Sequence, residues 1–144
     1  MECENDLNKS LRSKLNKIFR EYPEITAVYL FGSYLEDKSQ AQDIDLAVLI
    51  RQPVENQVNL YMELYSRLVL VLNPLEPDLL FLHAASLALR FEAVAFGKLI
   101  YSGDEESRTD YEYALSGEYM DFSHHQKMAI RELFETVREE NRFV

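Results

Sequence analysis

Tyr29-Leu30-Phe31-Gly32-Ser33-Tyr34 is followed, after a polar connection, by Gln42-Asp43-Ile44-Asp45-Leu46-Ala47-Val48-Leu49-Ile50. An apolar, β-prone run enters Gly-Ser, and a second one starts with two aspartates one residue apart. Residues i and i+2 of a strand share a face, so Asp43 and Asp45 point the same way, their Cα atoms roughly 6.5 Å apart. Ile44, Leu46, Val48 and Ile50 take the other face. Beyond Asp45 both faces are apolar, which predicts a central strand. Carboxylates at the head of such a strand suit one hard cation such as Mg²⁺, which prefers oxygen ligands and is held by one or two carboxylates plus phosphates and water.

Working outward, Ile25 to Phe31 reads as the first strand, and Gly32 punctuates it. Ser33 is expected to cap a short helix over 33–39, which would place Gly32-Ser33 at a helix N-terminus. Glycine permits close approach of a phosphate, the helix start offers free N–H groups, and the serine hydroxyl adds a donor. Asp78 opens a predicted third strand, Asp78 to Leu82. If it pairs beside the second, three carboxylates gather at one sheet edge, an arrangement suited to two cations about 3.5–4 Å apart and in-line nucleotidyl transfer. Each signal has a plainer reading alone: Gly-Ser as a common turn, Asp-x-Asp as a solvated strand start, Asp78 as a cap. Their order and spacing carry the argument.

Upstream, residues 6–21 have Leu7, Leu11, Leu15, Ile18 and Phe19 at helical spacing, with Pro23 as the stop. Downstream, Leu60, Leu64 and Leu68 predict a helix from Asn56 to about Leu72, although Leu68-Val69-Leu70-Val71-Leu72 is β-prone. Asn73-Pro74 breaks it. A short helix over Ser86 to Phe96, closed by Gly97 as a C-terminal glycine, precedes a fourth strand at Leu99-Ile100-Tyr101. From Glu105 the chain reads as helix, either bending at Ser123 or starting anew there through a capping-box spacing, with Met128, Ile130, Leu133, Phe134 and Val137 as its apolar stripe. The fold class is α+β (α/β-like), expected as a single domain over 1–144 with a core at 25–104 and C-terminal helices at 105–142.

The 144 residues are 47% apolar and carry 15 basic against 25 acidic side chains, a formal charge of −10. Such a surface repels phosphate backbones, so direct nucleic-acid binding is not expected, and a basic protein partner suits it better. The single Cys3 excludes an internal disulfide and a cysteine-built zinc site. No apolar run reaches the ~18 residues that span a bilayer. The first residues lack a signal-type apolar segment, so no membrane association and a cytoplasmic location are expected.

"LFGSY" with "DIDLAVLI" resembles the minimal nucleotidyltransferases (MNT) of the polymerase-β-like superfamily, whose signature is Gly-Ser, a short spacer and Asp-x-Asp. The likeness extends to Pro77-Asp78-Leu79-Leu80-Phe81, to Leu89-Arg90 and to Gly97-Lys98-Leu99-Ile100-Tyr101, covering about 25–104 well and the terminal helices loosely. The spacer is one residue shorter than is common in stand-alone members. The resemblance implies a polymerase-β-like fold with a small mixed sheet of about four strands, and Mg²⁺ (one or two ions) and ATP in the reaction. Asp43, Asp45 and Asp78 would be catalytic and metal-binding, with Asp78 a candidate general base. Gly32 and Ser33 would bind the nucleotide. Stand-alone members are commonly encoded beside a HEPN-domain RNase toxin, and similar proteins are antitoxins that move AMP from ATP to a toxin tyrosine. A small-molecule acceptor and a purely binding antitoxin are the rival readings.

Arg90 either neutralises phosphate, and so binds nucleotide, or forms a structural ion pair. Tyr34 and Lys38 lie near the phosphate grip in sequence. His83 reads as a capping or packing residue, and His124-His125 as exposed helix. Tyr111, Tyr113 and Tyr119 read as packing or interface residues.

Overall fold

The protein is represented by a computed structural model that describes residues 9–37, 39–51 and 54–142. Cys3, Leu7, Lys38 and the first residues of the helix expected over 6–21 lie outside the described residues. Helix α1 (Lys9–Arg20) leads into β1 (Ile25–Phe31), the one-turn α2 (Ser33–Glu36), β2 (Asp43–Ile50), α3 (Gln57–Leu72) and β3 (Glu76–Phe81). A 3₁₀ turn (Leu82–Ala84), α4 (Leu87–Phe91), a π turn (Glu92–Phe96), β4 (Lys98–Ser102) and α5 (Glu105–Arg142) complete it. The strands form the expected small mixed sheet, in the order β3-β2-β1-β4. β1 runs antiparallel to β2 and β4, and β2 runs parallel to β3.

The period-2 pattern of β2 sorts its side chains as the sequence predicts. Ile44, Leu46 and Val48 face a core with Leu15 and Phe19 of α1 and Leu60, Leu64 and Leu68 of α3. Burying each such side chain contributes about 1.5–3 kcal/mol, which makes these two helices the main cover of the sheet. The β-prone end of α3 stays helical to Leu72 because Leu64, Leu68 and Leu72 recur at four-residue spacing and are buried. Asn56 caps the helix, its side chain accepting from the Asn59 amide at 3.0 Å.

The opposite face has small residues at its centre, Ala27, Ala47 and Ala93, with Tyr29, Leu49 and Leu82 around them. Alanines let the π turn lie close on the sheet. Gly97 follows from the same closeness: a Cβ there would stand 2.0 Å from the Ala93 carbonyl oxygen and 2.9 Å from that of Leu30. Its backbone is extended (φ −79°), so crowding, not a left-handed helix end, requires glycine. The start of α5 also packs on this face. The buried Tyr29 hydroxyl donates to Glu112 Oε1 at 2.8 Å, and Arg108 donates to the same carboxylate at 2.9 Å. Burial and the adjacent carboxylate push the Tyr29 phenol well above its usual range.

Several boundaries differ from the sequence reading. β3 begins at Glu76, so Asp78 sits inside the strand and not at its opening. The helix expected over 33–39 ends at Glu36, where the Asp37 amide bonds the Ser33 carbonyl at 2.8 Å. α5 is continuous through Ser123, since helix-forming residues on both sides outweigh the capping-box spacing there.

Candidate active site

Strand pairing assembles the site. Asp45 of β2 is in register with Phe31 of β1 on one side and with Asp78 of β3 on the other. Phe31 immediately precedes Gly32, so the Gly-Ser turn, Asp45 and Asp78 stand abreast across three adjacent strands about 4.8 Å apart. Asp43 is two residues away on the same face of β2, level with Glu76.

Gly32 is fixed by two constraints. Its φ is +82°, a conformation that side chains rarely adopt, and a Cβ on it would lie 2.0 Å from Asp45 Oδ2. The backbone of the turn therefore closes directly onto the Asp45 carboxylate. Gly32 is also the cap residue of α2; Ser33, expected to be the cap, is instead the first helical residue and is exposed. With a single turn of helix there is little macrodipole to invoke, so any anion held here would rest on individual N–H groups.

Asp45 is half-buried, whereas Asp43 and Asp78 are exposed. Burial, then a hydrogen bond from the Asp45 carboxyl to Asp78 and the charges of Asp78, Asp43 and Glu92, raise the Asp45 carboxyl to about 6. The charged groups named are all carboxylates, so Asp45 sits in excess negative charge and retains its proton more readily than an isolated aspartate. An all-oxygen, electron-rich donor set of this kind fits a hard divalent cation. Among the described residues no three carboxylates or histidines are drawn together into a ready metal cage. Like charges repel, and Asp43 at the exposed strand start is under no packing constraint.

Glu92 was not foreseen. It lies in the π turn after α4 and acts on Asp45 across the Ala-rich face. No local signal marks it, because an acidic residue in an amphipathic helix is ordinary. Arg90 binds Glu118 of α5 at 3.4 Å and lies beside the Tyr111 hydroxyl, the structural ion-pair alternative of the sequence reading. Tyr34 is buried in the core next to the turn. His83 is paired through Nε2 with Gln57 Oε1 at 2.9 Å and stacks on Phe81, a packing role. His124 and His125 are exposed on α5. Tyr119 packs face to face on Phe91, with ring centroids 3.9 Å apart, and Tyr113 is exposed.

A groove of about 470 Å³, lined by Ala41, Gln42, Asp43, Pro74, Leu75 and Glu76, adjoins the heads of β2 and β3. A further groove of about 420 Å³, at Tyr22, Val54 and Asn59, lies at the other end of the sheet, away from Asp43, Asp45 and Asp78.

The family described as Polymerase beta, Nucleotidyltransferase matches residues 13–106, which contain the Gly-Ser turn and all three aspartates. The chain belongs to this family. No curated protein matches the nucleotidyltransferase. Among solved structures it is similar to a chain of the complex between tri-AMPylated Shewanella oneidensis HEPN toxin and MNT antitoxin. That match has 26% identity and a TM-score of 0.65, over 89% of this chain and 99% of that one. It is also similar to a chain of a toxin–antitoxin structure with AMP-PNP, at 26% identity and TM-score 0.64 over 85% and 98% of the two chains. A chain of a mutant MntA-HpeT toxin–antitoxin complex matches at 27% identity and TM-score 0.65, over 90% of this chain and 99% of that one. No helix among the described residues is long and apolar enough to cross a membrane.

Proposed function

We propose that the chain is a Mg²⁺-dependent protein adenylyltransferase that moves AMP from ATP to a tyrosine of a HEPN-domain RNase, and acts as the antitoxin of that partner in the cytoplasm. The observation that carries the reading is the Asp45–Asp78 pair, in register and roofed by the Gly32 backbone. Similarity to chains from HEPN toxin and AMP-PNP structures supports the choice of partner and nucleotide.

Mg²⁺ held by Asp43, Asp45 and Asp78 would supply charge neutralisation and orientation at the α-phosphate. The chain's own groups do the rest. Gly32 and the N–H groups of the α2 turn hold the β- and γ-phosphates, in a turn whose missing Cβ leaves room for the Asp45 carboxylate against it. The Ser33 hydroxyl, exposed at that turn, adds a donor. Asp78, the outer and more exposed member of the pair, takes the proton of the acceptor tyrosine. The tyrosine oxygen then bonds the α-phosphorus, the bond to the bridging oxygen of the β-phosphate breaks, and pyrophosphate leaves. Arg90, committed to Glu118, is assigned no phosphate in this scheme.

Incubating the purified chain with ATP, Mg²⁺ and its HEPN-domain partner should raise the partner's intact mass by one or more AMP units. The Asp43→Ala/Asp45→Ala double variant should leave the mass unchanged. An unmodified partner with the intact enzyme overturns the reading, and neutralisation without modification by the double variant would favour a purely binding antitoxin.

A further inference from the structure

We infer that the distal half of α5 and the aromatic shelf at α4 form one docking corner for the protein acceptor. Leu115 is the last buried residue of α5, and residues 124–141 are all exposed, a span of about 27 Å. From Phe122 onward the helix carries Phe122, Ile130, Leu133 and Val137 within one third of its circumference, with Phe134 at the edge of the stripe; Leu133 is 61% exposed. The stripe continues the face that buries Leu115 and stacks Tyr119 on Phe91. At its root the rings are contiguous: Phe96 packs edge-on to Phe91 at 6.1 Å, Phe91 on Tyr119 at 3.9 Å, and Tyr119 against Phe122 at 6.3 Å. Phe96 is 74% exposed, so the shelf faces solvent too.

A second copy of the chain does not fit this corner. In a parallel pair the partner's proximal α5 would occupy the space of α4 and the π turn, because the stripe faces the chain's own core. In an antiparallel two-fold pair each flank of the helix meets its own copy. Lys127, Arg131 and Arg138 lie on one side of the stripe, and Asp121, Glu132 and Glu139 on the other. Like side then meets like side, so self-association gains no ion pairing from these charges. The fitting occupant is a different protein with a helical apolar ridge whose flanking charges are reversed, and whose net charge is basic against the −10 of this chain.

Position gives the corner its use. The π turn between Phe91 and Phe96 packs its Ala93 with Ala47 of β2, on the face that carries Asp45, so a protein seated on the shelf lies on the same side of the sheet as the reacting carboxylates. The inference rests on the proposed function only for the identity of this protein, the HEPN partner.

The test is the Ile130→Glu/Leu133→Glu variant, altered at two exposed positions, with Arg131→Glu/Arg138→Glu as an independent charge-reversed variant. Calorimetric titration with the HEPN protein should show each weakened by at least about 30-fold, the effect of losing a central anchor. KM for that protein should rise in parallel while kcat at saturation stays within about threefold. Unchanged affinity in both variants overturns the inference. So does a wild-type chain that light scattering shows to be a dimer and the Ile130→Glu/Leu133→Glu variant a monomer, because a second copy is then the occupant. If wild type binds the HEPN protein but transfers no AMP, the activity reading falls while loss of binding in the variants still upholds the surface.

Discussion

Replacing Asp45 with Asn is expected to stabilise the metal-free protein at neutral pH while abolishing transfer. In the folded chain the Asp45 carboxyl titrates at about 6, against an ordinary 3.8, chiefly through burial and then through Asp78. Ionised Asp45 is thus a strained group. A shift of about 2 units corresponds to about 3 kcal/mol, and because the carboxylate is partly exposed, solvent screening reduces this to about 1–1.5 kcal/mol. Asn keeps the shape and removes the charge, so the variant should melt about 3–6 °C higher at pH 7.5 in EDTA. The folded pKa lies above the unfolded one, so the folded state holds more protons between about pH 4 and 6, and wild-type stability falls as pH rises through that window. The gap between the two proteins should be full above pH 7 and close toward pH 4. Thermal denaturation across that range measures it, and Mg²⁺ should stabilise the wild type more than the variant. A variant no more stable than wild type at pH 7.5, or a gap that does not change with pH, would refute the reasoning.

Gly32→Ala should cost about 1–3 kcal/mol, from the positive φ and the collision with Asp45 Oδ2, and lower AMP transfer by at least about 100-fold by displacing that carboxylate; urea unfolding and partner mass together check it. Tyr29→Phe removes the donor to Glu112, which keeps Arg108, so a loss of about 1 kcal/mol in urea unfolding with unchanged transfer is expected. A loss of transfer as large as that of Asp45→Asn would show that the Tyr29 network reaches the site.

Alternation along Asp43–Ile50 specified a central strand with its aspartates on one face, and the glycine at 32 marked a backbone position closed to other residues. These are local properties, since side-chain direction in a strand and the allowed φ of a residue depend on nearest neighbours only. The helical spacing of Leu60, Leu64, Leu68 and Leu72 likewise outweighed the β-prone composition around them. Only the tertiary structure placed Asp78 beside Asp45, because register between β2 and β3 is set by packing of α3, the 16-residue helix that joins them. The same holds for Glu92, which reaches Asp45 across alanines distant in sequence, for Arg90, drawn to Glu118 on α5, and for Gly97, needed for closeness and not for its backbone angle. The sequence by itself determined which residues could serve a metal and a phosphate. Which carboxylates meet, and that α5 runs beyond the core with an uncovered stripe, depended on pairing between segments far apart in the chain, where the outcome is a balance of burial against charge repulsion that no local pattern encodes.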